Sequence, residues 1–352
     1  MHIKLHDFQI SAIAGAVPAN KQDLAQLGDS FGDDEVQRIM KGTGIREVRV
    51  APDYMCTSDL CRAAAEKLFG FLPLDRNTVD GLVFVSQTPD WIMPPTAPAL
   101  QDRLGLSREI VAFDINYGCS GFIYGLFQAG MLIQTGACKR VLLCVGDTSS
   151  KLVNPQDKQV RMVFGDGATA TLVEYSADKQ WPFVIGTDGS HGDALIIPGG
   201  RCRQPHSDAS REIKEDDQGN RRTDEDLYMD GMEIMNFSLR EVPPAIERLL
   251  DMQNWSRDEV NVYALHQANK FMVDYLRRKM KLSREAVPLG IEKLGNTGPA
   301  SIPLLLATEN QRLQRKRGLT KTVMCGFGVG LSWAATAGDL SQTKFPDLVE
   351  LS

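Results

Sequence analysis

Short apolar runs alternate along this chain with longer segments whose apolar residues recur at helical spacing, and that alternation constrains the fold more than any other feature. Ile3 and Leu5 alternate with His2, Lys4 and His6, the period of a half-buried strand, and the apolar stretch Ile10–Val17 extends this β-rich opening. The pattern then predicts helix over 63–71, a buried strand over 81–86, helix over 97–104 and strand over 110–115. Phe122, Leu126, Ala129 and Ile133 give a helix over 121–136, and VLLCVG at 141–146 a further short strand. Residues 201–226 break the pattern with many charges of both signs and almost no large apolar residue, as in a solvated loop or insertion. Beyond it the style resumes: helix over 229–250 despite Pro243 and Pro244, strand over 260–265, helices over 269–279 and 301–314, and strand over 323–325. Such order predicts a layered α/β fold in two similar halves, 1–175 and 228–352, joined by a connecting segment at 176–227 that holds the charged loop.

Composition narrows the function. The 352 residues are 43% apolar or aromatic and 24% charged, enough to bury a large core. A formal net charge of −6 supplies no global positive field for nucleic acid or an anionic membrane, so neither is expected as a partner. Seven cysteines, an odd number scattered through a long chain, read as free thiols in a reducing compartment. The pairs Cys56/Cys61 and Cys138/Cys144 match no zinc spacing, and no metal site is expected. The glycine-rich stretch Thr322–Gly338 falls short of the roughly 20 apolar residues that cross a bilayer. A cytoplasmic protein is expected.

Four short segments could carry chemistry. Cys119 stands where the strand at 110–115 ends, a glycine turn follows and a helix begins; the unpaired N–H groups of a helix start favour thiolate over thiol. His266, alone among five histidines, sits at a predicted strand end that opens into a crevice. Asn296 lies in a Gly-Asn-Thr-Gly turn entering an apolar helix, where asparagine ordinarily serves as cap or turn residue but can also donate from its amide. Gly326–Gly330 offers bare backbone N–H groups to an anion or oxyanion.

Taken in order, Asn116–Gly125, Phe164–Ala170 (FGDGATA), His266–Asn269 (HQAN), Gly295–Pro303 (GNTGPASIP) and Gly326–Trp333 (GFGVGLSW), with Thr43–Arg46 (TGIR) before them, resemble the β-ketoacyl-acyl-carrier-protein synthase III family over nearly the whole chain. The resemblance implies a thiolase-like duplicated αβαβα layered fold, usually dimeric, with Cys119, His266 and Asn296 at the end of a pantetheine tunnel. It further implies that Cys119 takes an acyl group from an acyl thioester, either acyl-CoA or acyl-carrier protein. Malonyl-carrier protein would then extend that group with loss of carbon dioxide and no metal or redox cofactor. Backbone N–H groups of Cys119 and Val329 would form the oxyanion hole, and His266 and Asn296 would hold the malonyl carbonyl.

Some positions depart from the family pattern. No Trp precedes the TGIR segment to stack on the adenine of coenzyme A, and Phe271 stands where a basic residue is frequent. Lys270 beside it, Lys158, Asn269 and Met93 are the remaining candidate substrate contacts, Met93 at a position that in the family reaches across the dimer to the acyl pocket. Degradative thiolases use a second cysteine in the glycine-rich turn; here Val329 sits within it and Cys325 precedes it, which disfavours that branch. Two other readings are an acyltransferase of the same fold acting on an alcohol or amine, and a non-catalytic partner subunit. Retention of Asn296 and of all three polar groups favours condensation. The arginines at 201, 203, 211, 221 and 222 either belong to a solvated connection or meet an acidic carrier protein.

Overall fold

The computed structural model describes all 352 residues. The chain opens with strand β1 (His2–Pro18), helix α1 (Asp33–Thr43) and helix α2 (Thr57–Phe71). Strand β2 (Gly81–Val85), α3 (Thr96–Arg103), β3 (Val111–Ile115), α4 (Gly121–Gln134) and β4 (Arg140–Asp147) follow as the alternation predicts. Next comes a strand of 21 residues, β5 (Gly167–Thr187). The second half consists of α5 (Gly231–Gln253), β6 (Val262–Leu265), α6 (Lys270–Lys279), α7 (Ser301–Lys316), β7 (Thr322–Gly328), β8 (Ser332–Gly338) and β9 (Val349–Leu351).

Strand pairing runs β6-β7-β8-β5-β4-β2-β3, with β1 antiparallel to β5 along almost its full length. The first part of β5 pairs with β4, from Gly167 opposite Asp147 to Glu174 opposite Arg140. Its last part pairs with β8, from Phe183 opposite Thr336 to Thr187 opposite Ser332. One long strand therefore belongs to both sheets, and the division expected at 175/176 falls inside it.

Alternation of side chains along the strands sorts the core into layers. Val83, Val85, Leu143 and Val145 of the first sheet and Val262, Ala264 and Met324 of the second all face Phe122, Leu126, Ile302 and Leu305 of α4 and α7. Their neighbours Leu82, Phe84, Leu142 and Cys144 face the outer helices α2 and α3. Tyr263, Leu265, Val323 and Cys325 face α5 and α6 on the opposite side. The result is helix, sheet, helix, sheet, helix, the duplicated αβαβα arrangement. Helix α5 contains Pro243 and Pro244 and loses two backbone donors there, yet it stays continuous because Phe237, Val242, Ile246 and Leu249 are buried along one face.

The segment 201–226 folds into a short 3-10 turn, Ala209–Arg211, and a two-stranded ribbon pairing Lys214–Glu215 with Arg221–Arg222. Its cations are largely neutralised internally. Arg211 pairs with Glu225, Lys214 with Asp224, Arg221 with Glu215, and Arg222 with both Asp157 and Asp216. No helix is long and apolar enough to cross a membrane.

Candidate active site

Cys119, Ser120 and helix α4 sit at the carboxyl end of β3, beside the ends of β2 and β4, the place where a parallel sheet leaves a crevice. Cys119 is 6% exposed and lines a cavity of about 270 Å³. The end of β7 closes over it. A Cβ on Gly328 would stand 2.8 Å from both Cys119 Cβ and Sγ, and one on Gly326 would stand 2.7 Å from the Cys119 carbonyl oxygen, so both positions need glycine for the strand to approach. The Val329 and Cys119 N–H groups act on the sulfur and pull its pKa down. Burial outweighs them, and the buried Asp147 carboxylate adds to it, so the thiol is pushed up to about 11. The N–H groups of the helix start thus favour the thiolate, as expected, but burial outweighs them. Desolvation of the sulfur is the larger effect, and the cysteine rests as a thiol.

His266 follows β6, whose Leu265 pairs with Cys325 of β7, and its own N–H donates to the Cys325 carbonyl at 2.9 Å. The ring is 1% exposed and meets Phe327 edge-on at 5.5 Å between centroids. Burial lowers its pKa to about 3, so it is a neutral imidazole. Its tautomer follows from Ser301, the first residue of α7. Ser301 Oγ lies 2.6 Å from His266 Nδ1 and also accepts the Gln267 N–H at 3.4 Å. No other acceptor is within reach of the Ser301 hydroxyl hydrogen, so it goes to Nδ1 and the ring proton resides on Nε2 as a donor.

Asn296 is 5% exposed and its loop is strapped to the segment before β5: Asn296 N–H donates to the Val163 carbonyl at 2.8 Å and Gly165 N–H to the Asn296 carbonyl at 3.0 Å. Asn296 Oδ1 accepts the Gly298 N–H at 3.0 Å, which orients the amide and leaves Nδ2 to donate. Gly298, Phe164 and Val329 line the Cys119 cavity. Strand β7 thus covers Cys119 and holds the His266 backbone, and the strap brings Gly298 and Phe164 to the Cys119 cavity, whose lining does not include His266 or Asn296 themselves.

The other expected contacts divide. Asn269 and Lys158 line a second cleft of about 310 Å³ together with Arg38, Gln218 and Phe271. Asn269 Oδ1 caps α6 by accepting the Met272 N–H at 2.8 Å. Lys158 Nζ donates to the Gln218 carbonyl at 2.8 Å and pairs with Glu35 at 3.5 Å, while Arg38 grips the same Glu35 through two hydrogen bonds of 2.7 and 2.8 Å. Lys270 lies outside both cavities, its ammonium paired along the helix with Asp274 at 2.7 Å. Met93 also lies outside them within this chain, 82% exposed beside the exposed Trp91 and Ile92.

Sequence reasoning missed Ser301, and it missed Asp147, Ser149, Gln87 and Asn116, all of which line the Cys119 cavity. Asp147 is 3% exposed with no cation beside it; burial pushes its pKa to about 7 against hydrogen bonds from Gln87 N–H, Ser86 and Thr88. Its signal in the sequence was a carboxylate ending a buried parallel strand.

Comparison with known proteins agrees with this geometry. Residues 113–189 match the family model for 3-oxoacyl-[acyl-carrier-protein] synthase III, and residues 250–339 match the model for its C-terminal part. A putative 3-oxoacyl-[acyl-carrier-protein] synthase 3 from Campylobacter jejuni is 35% identical over 95% of this chain and 94% of its own length. A β-ketoacyl-[acyl-carrier-protein] synthase III from Lactococcus lactis is 33% identical over 92% of this chain and 97% of its own. The crystal structure of a 3-oxoacyl-(acyl-carrier protein) synthase from Burkholderia xenovorans superposes with a TM-score of 0.93 at 39% identity, covering 100% of this chain and 99% of that one. With sequence and architecture in agreement over the full length, the chain belongs to the 3-oxoacyl-[acyl-carrier-protein] synthase III family of thiolase-fold enzymes.

Proposed function

We propose that this protein is a decarboxylating condensing enzyme that loads an acyl group on Cys119 and extends it with malonyl-carrier protein. The observation that carries the reading is the Val329 N–H acting on the Cys119 sulfur; a neutral His266 and an Asn296 amide with Nδ2 left to donate support it. In the first half-reaction the Cys119 sulfur bonds to the acyl carbon, the thioester C–S bond breaks, and the thiol proton leaves with the departing thiol. The Cys119 and Val329 N–H groups hold the tetrahedral oxyanion. Malonyl thioester then places its carbonyl oxygen against His266 and Asn296. Its C–C bond breaks, carbon dioxide departs, and the electron pair is held as an enolate by those two donors. The enolate carbon attacks the acyl carbonyl, releases Cys119 as thiolate, and the thiolate takes a proton from solvent. Neither metal nor redox group is needed, because decarboxylation supplies the nucleophilic electron pair.

The cleft around Asn269 and Lys158 is the entry for the pantetheine arm, with Asn269 Nδ2 free to donate to its amides. Two copies pair through β3, which ends the sheet, and through the apolar Trp91–Met93 loop next to it. The cytoplasm, where seven free thiols are stable, is the proposed compartment.

The test is intact-protein mass spectrometry with acyl-CoA and acyl-carrier-protein donors, beside Cys119→Ser, followed by malonyl-carrier protein. Acyl mass on the wild type alone, discharged as a β-ketoacyl product with carbon dioxide, supports the reading. Acyl mass that only an alcohol or amine discharges replaces it with acyl transfer, and no acyl mass from any donor refutes it.

A further inference from the structure

The cavity beside Cys119 has two chemically different walls. Leu152, Phe164, Leu195 and Ile196 make one of them apolar. The carboxyl ends of the three adjacent parallel strands β2, β3 and β4 contribute the polar part, Gln87, Asn116, Asp147 and Ser149. Gln87 and Asn116 are exposed and mark the open end, whereas Asp147 and Ser149 are buried. No protein group hydrogen-bonds Ser149 Oγ. Asp147 takes all three of its hydrogen bonds on Oδ1, from Ser86 Oγ, Gln87 N–H and Thr88 Oγ, at 2.8, 2.7 and 3.2 Å. Its Oδ2 has none, and a Cβ on Gly298 would stand 2.8 Å from it, so that glycine keeps space beside the oxygen. Both oxygens lack a protein partner but are accessible from the cavity, so a polar group of an occupant can reach them.

We propose that the acyl group carried by Cys119 bears a hydroxyl substituent, received by Ser149 Oγ and Asp147 Oδ2. The inference rests on the reading of Cys119 as the acylated residue. A hydroxyl suits this wall because it donates and accepts at once. Asp147 titrates near neutrality, and the same substituent can donate to its carboxylate or accept from its acid. The size is consistent: a cavity of about 270 Å³ has room for a short substituted chain. A plain alkyl chain of equal length would fill the space and leave both oxygens unpaired, a mismatch that sites built for a polar group penalise heavily.

The experiment gives the purified full-length protein equal concentrations of butanoyl and 3-hydroxybutanoyl thioesters of N-acetylcysteamine, with acetyl and 4-aminobutanoyl thioesters in parallel. The rate of mass gain at Cys119 is followed for each. The expected result is 3-hydroxybutanoyl loading at least about tenfold faster than butanoyl, with the ratio collapsing toward one in Ser149→Ala. Asp147→Asn provides a second variant with the same expected loss of preference, and Ser149→Ala holds the question open to test should the former misfold. Butanoyl loading as fast or faster, or the amino donor leading, overturns the inference, and discharge of that acyl group by malonyl thioester would leave the condensing reading standing. Failure of every donor, acetyl included, overturns both.

Discussion

Ser301→Ala isolates what holds the imidazole. In the wild type the Ser301 hydroxyl donates to His266 Nδ1 across 2.6 Å and fixes the proton on Nε2. Removing it leaves a buried ring nitrogen without a partner, which costs about 1–3 kcal/mol of stability. Population of the wrong tautomer removes about a factor of two on its own. Loss of ring orientation removes more, but less than deleting an oxyanion donor outright, which costs about 10²–10³ in rate. The expected fall in malonyl decarboxylation is therefore about 5- to 50-fold, or roughly 1–2.3 kcal/mol. Acylation of Cys119 relies on Cys119 and Val329 and should change by less than about twofold. Carbon dioxide release from a labelled malonyl thioester and mass gain at Cys119 measure the two half-reactions separately, and Ser301→Thr, which keeps the hydroxyl, should recover most of the first. Equal losses in both, or no loss in decarboxylation, would refute the assignment of the Nε2 tautomer to Ser301.

Other expectations follow from the same site. Asn296→Ala should slow decarboxylation about 10²-fold while Cys119 still loads. Alkylation of Cys119 by iodoacetamide, resolved by peptide mass, should rise about tenfold per pH unit below its thiol value of about 11 and show no plateau at pH 8–9. Glu35→Gln frees Arg38 and Lys158 at the cleft and should lower KM a few-fold for coenzyme A donors at low salt, an effect that about 0.5 M salt removes. Asp147 and His266 give opposite pH dependences of stability. The Asp147 value, raised to about 7, means the folded state keeps a proton the unfolded state has released, so stability falls as pH rises from about 4 to 7. The His266 value, lowered to about 3, means the unfolded state binds the proton first, so stability falls as pH drops from about 6.5 to 3. Between pH 4.5 and 6.5 these slopes, each about 1.4 kcal/mol per unit, offset each other. Urea unfolding of Asp147→Asn should uncover the His266 slope, and an unchanged pH profile would show that Asp147 does not hold the proton.

Legibility in the sequence followed the number of buried faces an element has. Strands β2, β3 and β4 and helices α4, α6 and α7 were read within a few residues because short apolar runs and helical spacing mark them directly. The long β5 was missed as a strand, since GATATLV is small and buried on both faces and has no period of two; its ties to β1, β4 and β8 are all long-range. Helix α1 was missed because a single buried residue, Val36, anchors it. For the site, Cys119, His266 and Asn296 stood out because each ends an element at a turn. Ser301 and Asp147 did not, because a serine at a helix start and an aspartate at a strand end have common local uses, and only tertiary contacts with His266 and the cavity distinguish them.

The nucleophile itself sets a constraint on how the site must work. Burial pushes the Cys119 thiol to a value well above the ordinary one, so the fold works against a resting thiolate. The groups that would lower that value, Val329 N–H and the cysteine's own N–H, are the same ones placed to receive an oxyanion, and at rest they face a neutral sulfur on which their dipoles gain little. Once the tetrahedral intermediate forms, full negative charge appears beside them in a largely buried cavity, and their interaction strengthens where the barrier is highest. His266 follows the same logic: burial removes its charge, so it cannot bind the malonyl carboxylate as a counter-ion, and its Nε2–H gains most when decarboxylation turns the thioester carbonyl into an enolate. Burial thus weakens both residues as reagents in the resting protein and makes them selective for charge that exists only during reaction. A variant that admits water to this cavity should for that reason show a more reactive Cys119 toward alkylating agents and a slower condensation.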